Sequence, residues 1–269
     1  MKNNTTLSFI IFNDTKTHLI MKWHLLISFF LLSITSAFAQ SDEYKEPSKA
    51  SQAYHEYRMY VSEPPYGLAK IKRLLINMEV KEDEESMGGT EKIPTKIYCN
   101  LSLREKFTYH MLHGETFSQI CDAYPPEQDE NKKIYGYLPD ILREKNWSES
   151  QIKFLKDNRD SVIVWLKDCI SRNNSAGVNF KRAILEIDAI EMIPFLIKTY
   201  DVKKKDGDIL TVFMLFMKKH EFEPFIKSSS FRKLYSKEYN FTASLVYNKA
   251  NETLIKERVM EFYNGQFKK

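Results

Sequence analysis

Apolar residues recur at helical spacing through most of the chain. After the Pro64-Pro65 pair they lie three or four positions apart, at Leu68, Ile71, Leu75 and Met78. The same spacing over 148–170 predicts the longest helix of the chain, with its stripe at Ile152, Leu155, Val162, Ile163, Leu166, Cys169 and Ile170. This periodicity predicts an all-α or nearly all-α fold, either an irregular helical bundle or a short α-solenoid of stacked helix pairs.

Local signals place several helix ends. Ser102 with Glu105, and Ser148 with Gln151, have the spacing of capping boxes, in which two side chains satisfy the first free amides of a helix. Gly114 stands where the first of these helices would stop. A short helix is expected near 115–122, and residues 93–100 are expected to form a short strand or an extended lead into the next helix. The last helix is expected to be capped by Asn251 and closed by Asn264-Gly265.

Two segments near the C-terminus have similar sequences. EMIPFLIK at 191–198 and EFEPFIKS at 221–228 share Glu, Pro, Phe and an aliphatic residue thirty positions apart. Proline is tolerated in the first turn of a helix, so each proline predicts a helix start just before it. Asp188 and Glu191 suit the cap and third residue of the first start. An apolar helix precedes each segment, at 180–187 and at 209–217.

This succession of helix pairs over 180–228 resembles HEAT-like repeats, whose second helix carries a proline near its start. The resemblance implies stacked helix pairs with an extended face for peptides or protein partners. The alternative is an ordinary irregular helical bundle that uses the Pro-Phe pair twice. The predicted organisation is a leader over 1–39, a flexible lead-in over 40–53, an N-terminal helical region over 54–170 and a C-terminal HEAT-like region over 171–269.

The leader has the three parts of an export signal. In MKWHLLISFFLLSITSAFAQ, residues 21–40, Lys22 and His24 precede an apolar run over 25–34, and Ala37 and Ala39 place a cleavage site after Ala39. The run is shorter than the roughly 20 apolar residues that span a bilayer, which favours a removed signal peptide over a signal anchor. The sequence thus predicts a periplasmic or secreted protein of a Gram-negative bacterium, without stable membrane insertion after cleavage.

Composition narrows the class of partner. The chain has 40 basic and 36 acidic side chains, and part of that small excess lies in the leader. A nucleic-acid-binding protein usually gathers a basic excess on one face, and no such excess is visible here. Three cysteines, Cys99, Cys121 and Cys169, suit an oxidising compartment. A Cys99–Cys121 disulfide is the candidate pairing because Cys169 lies in an apolar stripe, although spacing leaves all three pairings open.

The segment YHMLHGETFSQIC, residues 109–121, is the one group of residues suited to catalysis. His110 and His113 are one helical turn apart and, with Glu115 or Cys121, have the donor types of a zinc site. Cys121 with His113 as base would be the parts of a thiol hydrolase. The spacing matches no regular zinc or hydrolase signature, which favours ordinary structural roles and implies no cofactor. The sequence therefore favours an exported module that binds a protein or peptide, with a small hydrolase or metal-dependent enzyme centred on 110–121 as the alternative.

Overall fold

Helices make up 64% of the computed structural model, which describes residues 45–78, 90–117, 125–140, 145–236 and 240–267. The leader 1–39 and Cys121 lie outside these residues. Contacts between Cα atoms separate 1–46 from a second unit, 47–269, and the fold below is that of the second unit. Within it the described α-helices are α1 Lys49–Arg58, α2 Leu68–Ile76, α3 Thr95–Cys99, α4 Leu103–Leu112, α5 Glu149–Asp157, α6 Arg159–Asn173, α7 Val178–Glu186, α8 Ile193–Lys203, α9 Gly207–Lys219, α10 Glu223–Ile226, α11 Ser229–Tyr235 and α12 Lys249–Phe267.

Two small antiparallel sheets connect the helices. Strand β1, Thr116–Phe117, pairs with β3, Lys145–Asn146. Strand β2, Lys133–Tyr135, pairs with β4, Ser244–Val246. The second sheet lies on the central helix α9, where the Thr211 hydroxyl donates a hydrogen bond of 2.7 Å to the carbonyl of Tyr135. The expected all-α or nearly all-α bundle is confirmed, because the strands are only two or three residues long.

Helix α9 forms the centre of the core. Its sequence is apolar on every side, as expected of a fully buried helix, and it packs against α7, α8, α12 and β2. The main core runs from Phe107 on α4 to Phe262 on α12, so residues from both sides of position 170 share one core. A second, smaller cluster joins α2 to α4 through Ile71, Ile93, Leu101 and Tyr109.

Both predicted capping boxes and both proline-marked helix starts agree with the structure. The reciprocal side-chain and backbone bonds of both capping boxes are present, at Ser102–Glu105 and at Ser148–Gln151. Helix α4 ends at Leu112, two residues before Gly114. Pro194 and Pro224 both lie in the first turn of a helix, as predicted. The resemblance to HEAT-like repeats itself stays a prediction.

Other local predictions are wrong because side chains compete for the backbone. The helix expected over 148–170 is broken at Asn158 (φ −108°, ψ 24°), whose side-chain amide donates to the Phe154 carbonyl at 2.9 Å. The longest described helix is instead α12. It begins at Lys249, where Asn248 rather than Asn251 acts as the capping side chain, and it continues through Gly265.

Asp188 does not cap the next helix. It adopts a positive φ of 53°, and its carboxylate contacts His220 at 2.9 Å instead of a backbone amide. A short 3-10 turn, Ile190–Met192, therefore separates it from α8. Residues 95–99 are helical rather than extended. The helix expected near 115–122 is wrong at Thr116 and Phe117, which form β1, and the rest of that segment lies outside the described residues.

Residues 49–53 are helical, although the sequence placed them in a flexible lead-in. The hydroxyl of Ser48 accepts a hydrogen bond from the Ser51 amide and so caps α1. The helix was not expected because its buried side chains, Ser51 and Arg58, are polar. Among the helices in the described ranges, none has the length and hydropathy needed to cross a bilayer.

Candidate functional site

The two histidines proposed for a metal or catalytic site are buried in a polar network. His110 Nδ1 lies 2.9 Å from Gln151 Nε2, and His110 Nε2 lies 3.0 Å from the Tyr98 hydroxyl. Gln151 Oε1 accepts from two backbone amides, at Glu115 and Ser148, so the Gln151 nitrogen must be the donor to His110. Neutral His110 therefore carries its proton on Nε2. Burial lowers its pKa to about 3, an effect that His113 and Lys106 reinforce.

His113 and Glu115 are held in the same network. His113 Nε2 lies 2.6 Å from the carbonyl of Glu91, and burial lowers the pKa of this imidazole. One oxygen of Glu115 accepts from the Tyr109 hydroxyl at 3.0 Å, and the other accepts from Ser148 Oγ at 2.6 Å. Both ring nitrogens of His110 are engaged, and so are both carboxylate oxygens of Glu115. These groups hold α4 against the start of α5.

This geometry gives no support to the enzyme alternative. His110, His113 and Glu115 do come together, as the sequence suggested, but they are at most 8% exposed and face neighbouring protein groups rather than an open cleft. No cluster of metal-ligating side chains occurs in the part of the chain that the structure describes. Cys121 lies outside that part. Cys99 is exposed and Cys169 is buried, both as free thiols, so the Cys99–Cys121 disulfide stays a prediction.

A second group of charged residues lies beneath α1, and sequence reasoning did not anticipate it. Arg58 Nη1 lies 2.9 Å from Glu130 Oε1, and Arg58 Nε lies 3.1 Å from Asp208 Oδ1. Lys181 Nζ lies 2.6 Å from Asp206 Oδ1 and 4.0 Å from Asp208 Oδ2. All five side chains are at most 10% exposed. We refer to Arg58, Glu130, Lys181, Asp206 and Asp208 as the α1 ion network.

The α1 ion network places two carboxylates at the start of α9. Asp206 is the residue before the helix and Asp208 lies in its first turn, where the partial positive charge of the helix end favours anions. Burial raises the pKa of Asp206, and it outweighs the opposing attraction of Lys181. Burial also acts to raise the pKa of Glu130. Hydrogen bonds from His55 and Arg58 nevertheless hold that pKa below its ordinary value.

A groove runs along the opposite side of α1 from His55. It encloses about 490 Å³ and is lined by Ala50, Ala53, Tyr54, Tyr57, Asn131, Lys204, Lys205 and Tyr247; we call it the α1 groove. The rings of Tyr54 and Tyr57 are 6.3 Å apart at their centroids, with 20° between their planes. Its volume is within the usual range for ligand pockets, about 300–1,000 Å³.

Each tyrosine of the groove is held by a neighbouring residue. A Cβ at Gly207 would lie 2.6 Å from the Tyr54 hydroxyl, so only glycine allows this ring to rest on the start of α9. The Tyr57 hydroxyl donates to Asp206 Oδ2 at 3.2 Å. Tyr247 donates to the carbonyl of Lys204 at 2.8 Å. The α1 ion network therefore holds Tyr57, while Gly207 and the backbone of Lys204 position the other two rings.

A smaller cavity of about 290 Å³ lies on the other side of α1. His55 Nδ1 meets Glu130 Oε2 there at 3.0 Å, which orients the imidazole. The walls include Met59, Tyr135, Leu138 and Phe241. Both carboxylates that line it have a cationic partner, because Glu130 contacts Arg58 of the same lining and Glu127 contacts Lys133 behind it. The carboxylates of this cavity are therefore already paired within the protein.

Comparison with protein-family models, with curated proteins and with solved structures gives no match to this chain. One sequence signal does point to α1: Ser51, His55 and Arg58 recur at helical spacing, and all three face the protein in the structure. A search for periodic apolar residues misses this face because it is polar.

Proposed function

We propose that this chain binds a protein or peptide partner in the α1 groove. The observation that carries the proposal is the groove itself, in which three half-buried tyrosines surround a space that two exposed alanines leave open. Tyrosine is enriched at protein interfaces because it presents a large amphipathic ring with few rotatable bonds. The small Ala50 and Ala53 side chains leave room for a bound side chain against these rings.

The rigidity of the groove supports binding. The hydroxyls of Tyr57 and Tyr247 are already hydrogen-bonded in the protein, and Tyr54 is confined by Gly207. Side chains that are ordered before association lose less conformational entropy on binding, so more of the contact energy appears as affinity. Nothing comparable supports catalysis, since the polar groups of the groove include no nucleophile adjacent to a base.

The leader favours a partner outside the cytosol. A short apolar run followed by small residues at 37 and 39 is typical of a cleaved export signal. The resemblance to HEAT-like repeats also favours a binding function, because stacked helix pairs commonly present an extended binding face. We therefore propose an exported binding module in the periplasm or beyond the cell.

A site-specific photo-crosslinker tests the proposal. Placed at Ala53 in the groove, it should label one segment of one partner protein in the native compartment, and an Ala50→Trp substitution that fills the groove should abolish that labelling. The matched control places the same crosslinker at Ala69, which is exposed on α2 away from the groove. Equal labelling from Ala53 and Ala69, or labelling that survives Ala50→Trp, would contradict the proposal.

A further inference from the structure

We infer that the segment bound in the α1 groove is acidic, an inference that rests on the proposed binding function. The charged side chains of the groove lining are Lys204 and Lys205, and no carboxylate lines it. Both lysines are exposed, and neither side chain has an ion-pair or hydrogen-bond partner among the residues that the structure describes. The groove therefore presents two positive charges beside three aromatic rings.

The acids nearest to these lysines in sequence are paired with other cations. Asp206 and Asp208 are buried with Lys181 and Arg58 in the α1 ion network. Asp201, near the end of α8, pairs with Lys256 at 2.6 Å. Within the described ranges, neither groove lysine is therefore paired with a carboxylate. A carboxylate of a ligand could therefore pair with Lys204 or Lys205 without breaking an existing ion pair.

The backbone holds Lys204 at the aromatic wall. Its amide donates to the Tyr200 carbonyl at 2.7 Å, and its carbonyl accepts from the Tyr247 hydroxyl at 2.8 Å. The Tyr200 and Tyr247 hydroxyls are themselves 2.7 Å apart. The turn that carries both lysines is therefore fixed to one tyrosine of the groove. This geometry suits a segment in which acidic residues flank an aromatic or apolar side chain, with the latter against Tyr54 and Tyr57.

The small number of positive charges in the groove favours an acidic peptide over a nucleic acid as its ligand. Binding to a phosphate backbone draws on many Lys and Arg contacts. The groove offers two such side chains, and the chain as a whole has only a small basic excess. Two cations match a short run of carboxylates more closely than a polyanion. We therefore assign the groove to an acidic peptide segment.

Fluorescence anisotropy with three labelled peptides tests this assignment. All share a Tyr-Pro-Leu core, which is flanked by Glu, by Gln or by Lys. The Glu peptide should bind most tightly to the purified protein. Exposed charge pairs contribute up to about 1 kcal/mol each, so Lys204→Glu/Lys205→Glu should weaken its binding about tenfold. Affinity for the Glu peptide should fall with added salt, whereas affinity for the Gln peptide should not.

Two control variants distinguish the possible failures. Lys92→Glu/Lys96→Glu reverses two exposed lysines that do not line the groove and should leave affinity unchanged. Ala53→Trp fills the groove and should abolish binding of both the Glu and the Gln peptide. If Ala53→Trp abolishes binding but the Gln peptide binds as tightly as the Glu peptide, the groove binds peptides and the acidic assignment is wrong.

Other outcomes would contradict the proposed function itself or the identity of the ligand. If no peptide binds, or if Ala53→Trp has no effect on binding, the proposed function fails together with the acidic assignment. Tighter binding of a thymidine oligonucleotide than of the Glu peptide, with the same dependence on Lys204 and Lys205, would replace the peptide by a nucleic acid. A crosslink from Ala53 to residues 40–46 of the same chain would show that the groove is filled by its own N-terminal segment.

Discussion

Replacing Arg58 by methionine should test whether the α1 ion network stabilises the fold. Methionine keeps much of the length of arginine but removes the charge and every donor. The substitution leaves the carboxylates of Glu130 and Asp208 buried without their guanidinium partner, which lies 2.9 Å from one and 3.1 Å from the other. It also removes the cation that stacks 3.8 Å from the centre of the Tyr135 ring.

The expected loss follows from burial. Removing one partner of a buried ion pair typically costs about 3–5 kcal/mol, because the remaining charge loses its main counter-ion where water cannot replace it. Arg58 is 8% exposed, so little screening by water reduces this figure. Part of the stacking energy on Tyr135, about 1 kcal/mol, is retained by the apolar methionine side chain. The free energy of unfolding should therefore fall by about 4 kcal/mol.

Urea unfolding at neutral pH, followed by circular dichroism, measures this change. Arg73→Met is the matched control: Arg73 is exposed on α2, and its substitution should change stability by less than about 0.5 kcal/mol. In a Glu130→Gln/Asp208→Asn background, Arg58→Met should cost much less than in the natural chain, since residues in one network are energetically coupled. A loss below about 1 kcal/mol in the natural chain, or an equal loss in both backgrounds, would refute the reasoning.

Three further substitutions or conditions have defined outcomes. Burial lowers the pKa of His110 to about 3, below the value of about 6.5 in the unfolded chain. The stability contributed by neutral His110 is therefore present above about pH 6.5 and is lost as the pH falls. The free energy of unfolding should drop by about 2 kcal/mol between pH 7 and pH 5, and by less in His110→Gln. Gly177→Ala would place a Cβ 2.4 Å from a backbone nitrogen and should lower the melting temperature, whereas Gly265→Ala, in open space on α12, should raise it slightly. After mild reduction, a maleimide should label exposed Cys99 in the folded protein but not Cys169, whose thiol pKa is raised to about 11 mainly by burial; equal labelling would contradict the burial of Cys169.

Local signals in the sequence predicted much of the helical fold. A capping box needs only two residues three positions apart, and a proline acts on the turn that contains it, so Ser102, Ser148, Pro194 and Pro224 marked helix starts that the structure contains. The break at Asn158 was missed because the apolar stripe continues across it. The side-chain amide of Asn158 ends the helix there by donating a hydrogen bond to the Phe154 carbonyl in the preceding turn.

The α1 groove could not be predicted from local signals because long-range contacts create it. Arg58 lies 150 positions before Asp208 and 72 before Glu130. The wall opposite α1 comes from Lys204, Lys205 and Tyr247, which approach it only after the chain has folded. By contrast, the clustering of His110, His113 and Glu115 was foreseen, since they are neighbours in sequence. Their burial was not foreseen, because it depends on Gln151 and Tyr98 from other elements.

The attachment of α1 through polar contacts couples ligand occupancy to helix docking. One wall of the groove belongs to α1, and its buried side chains are Ser51 and Arg58. The complete groove therefore exists only while this helix is docked, which makes undocking and ligand release parts of one linked equilibrium. A ligand present at a hundred times its Kd would shift that equilibrium toward the docked form by about 2.7 kcal/mol. Amide hydrogen exchange along 49–58 should accordingly slow by about a hundredfold when the groove is filled.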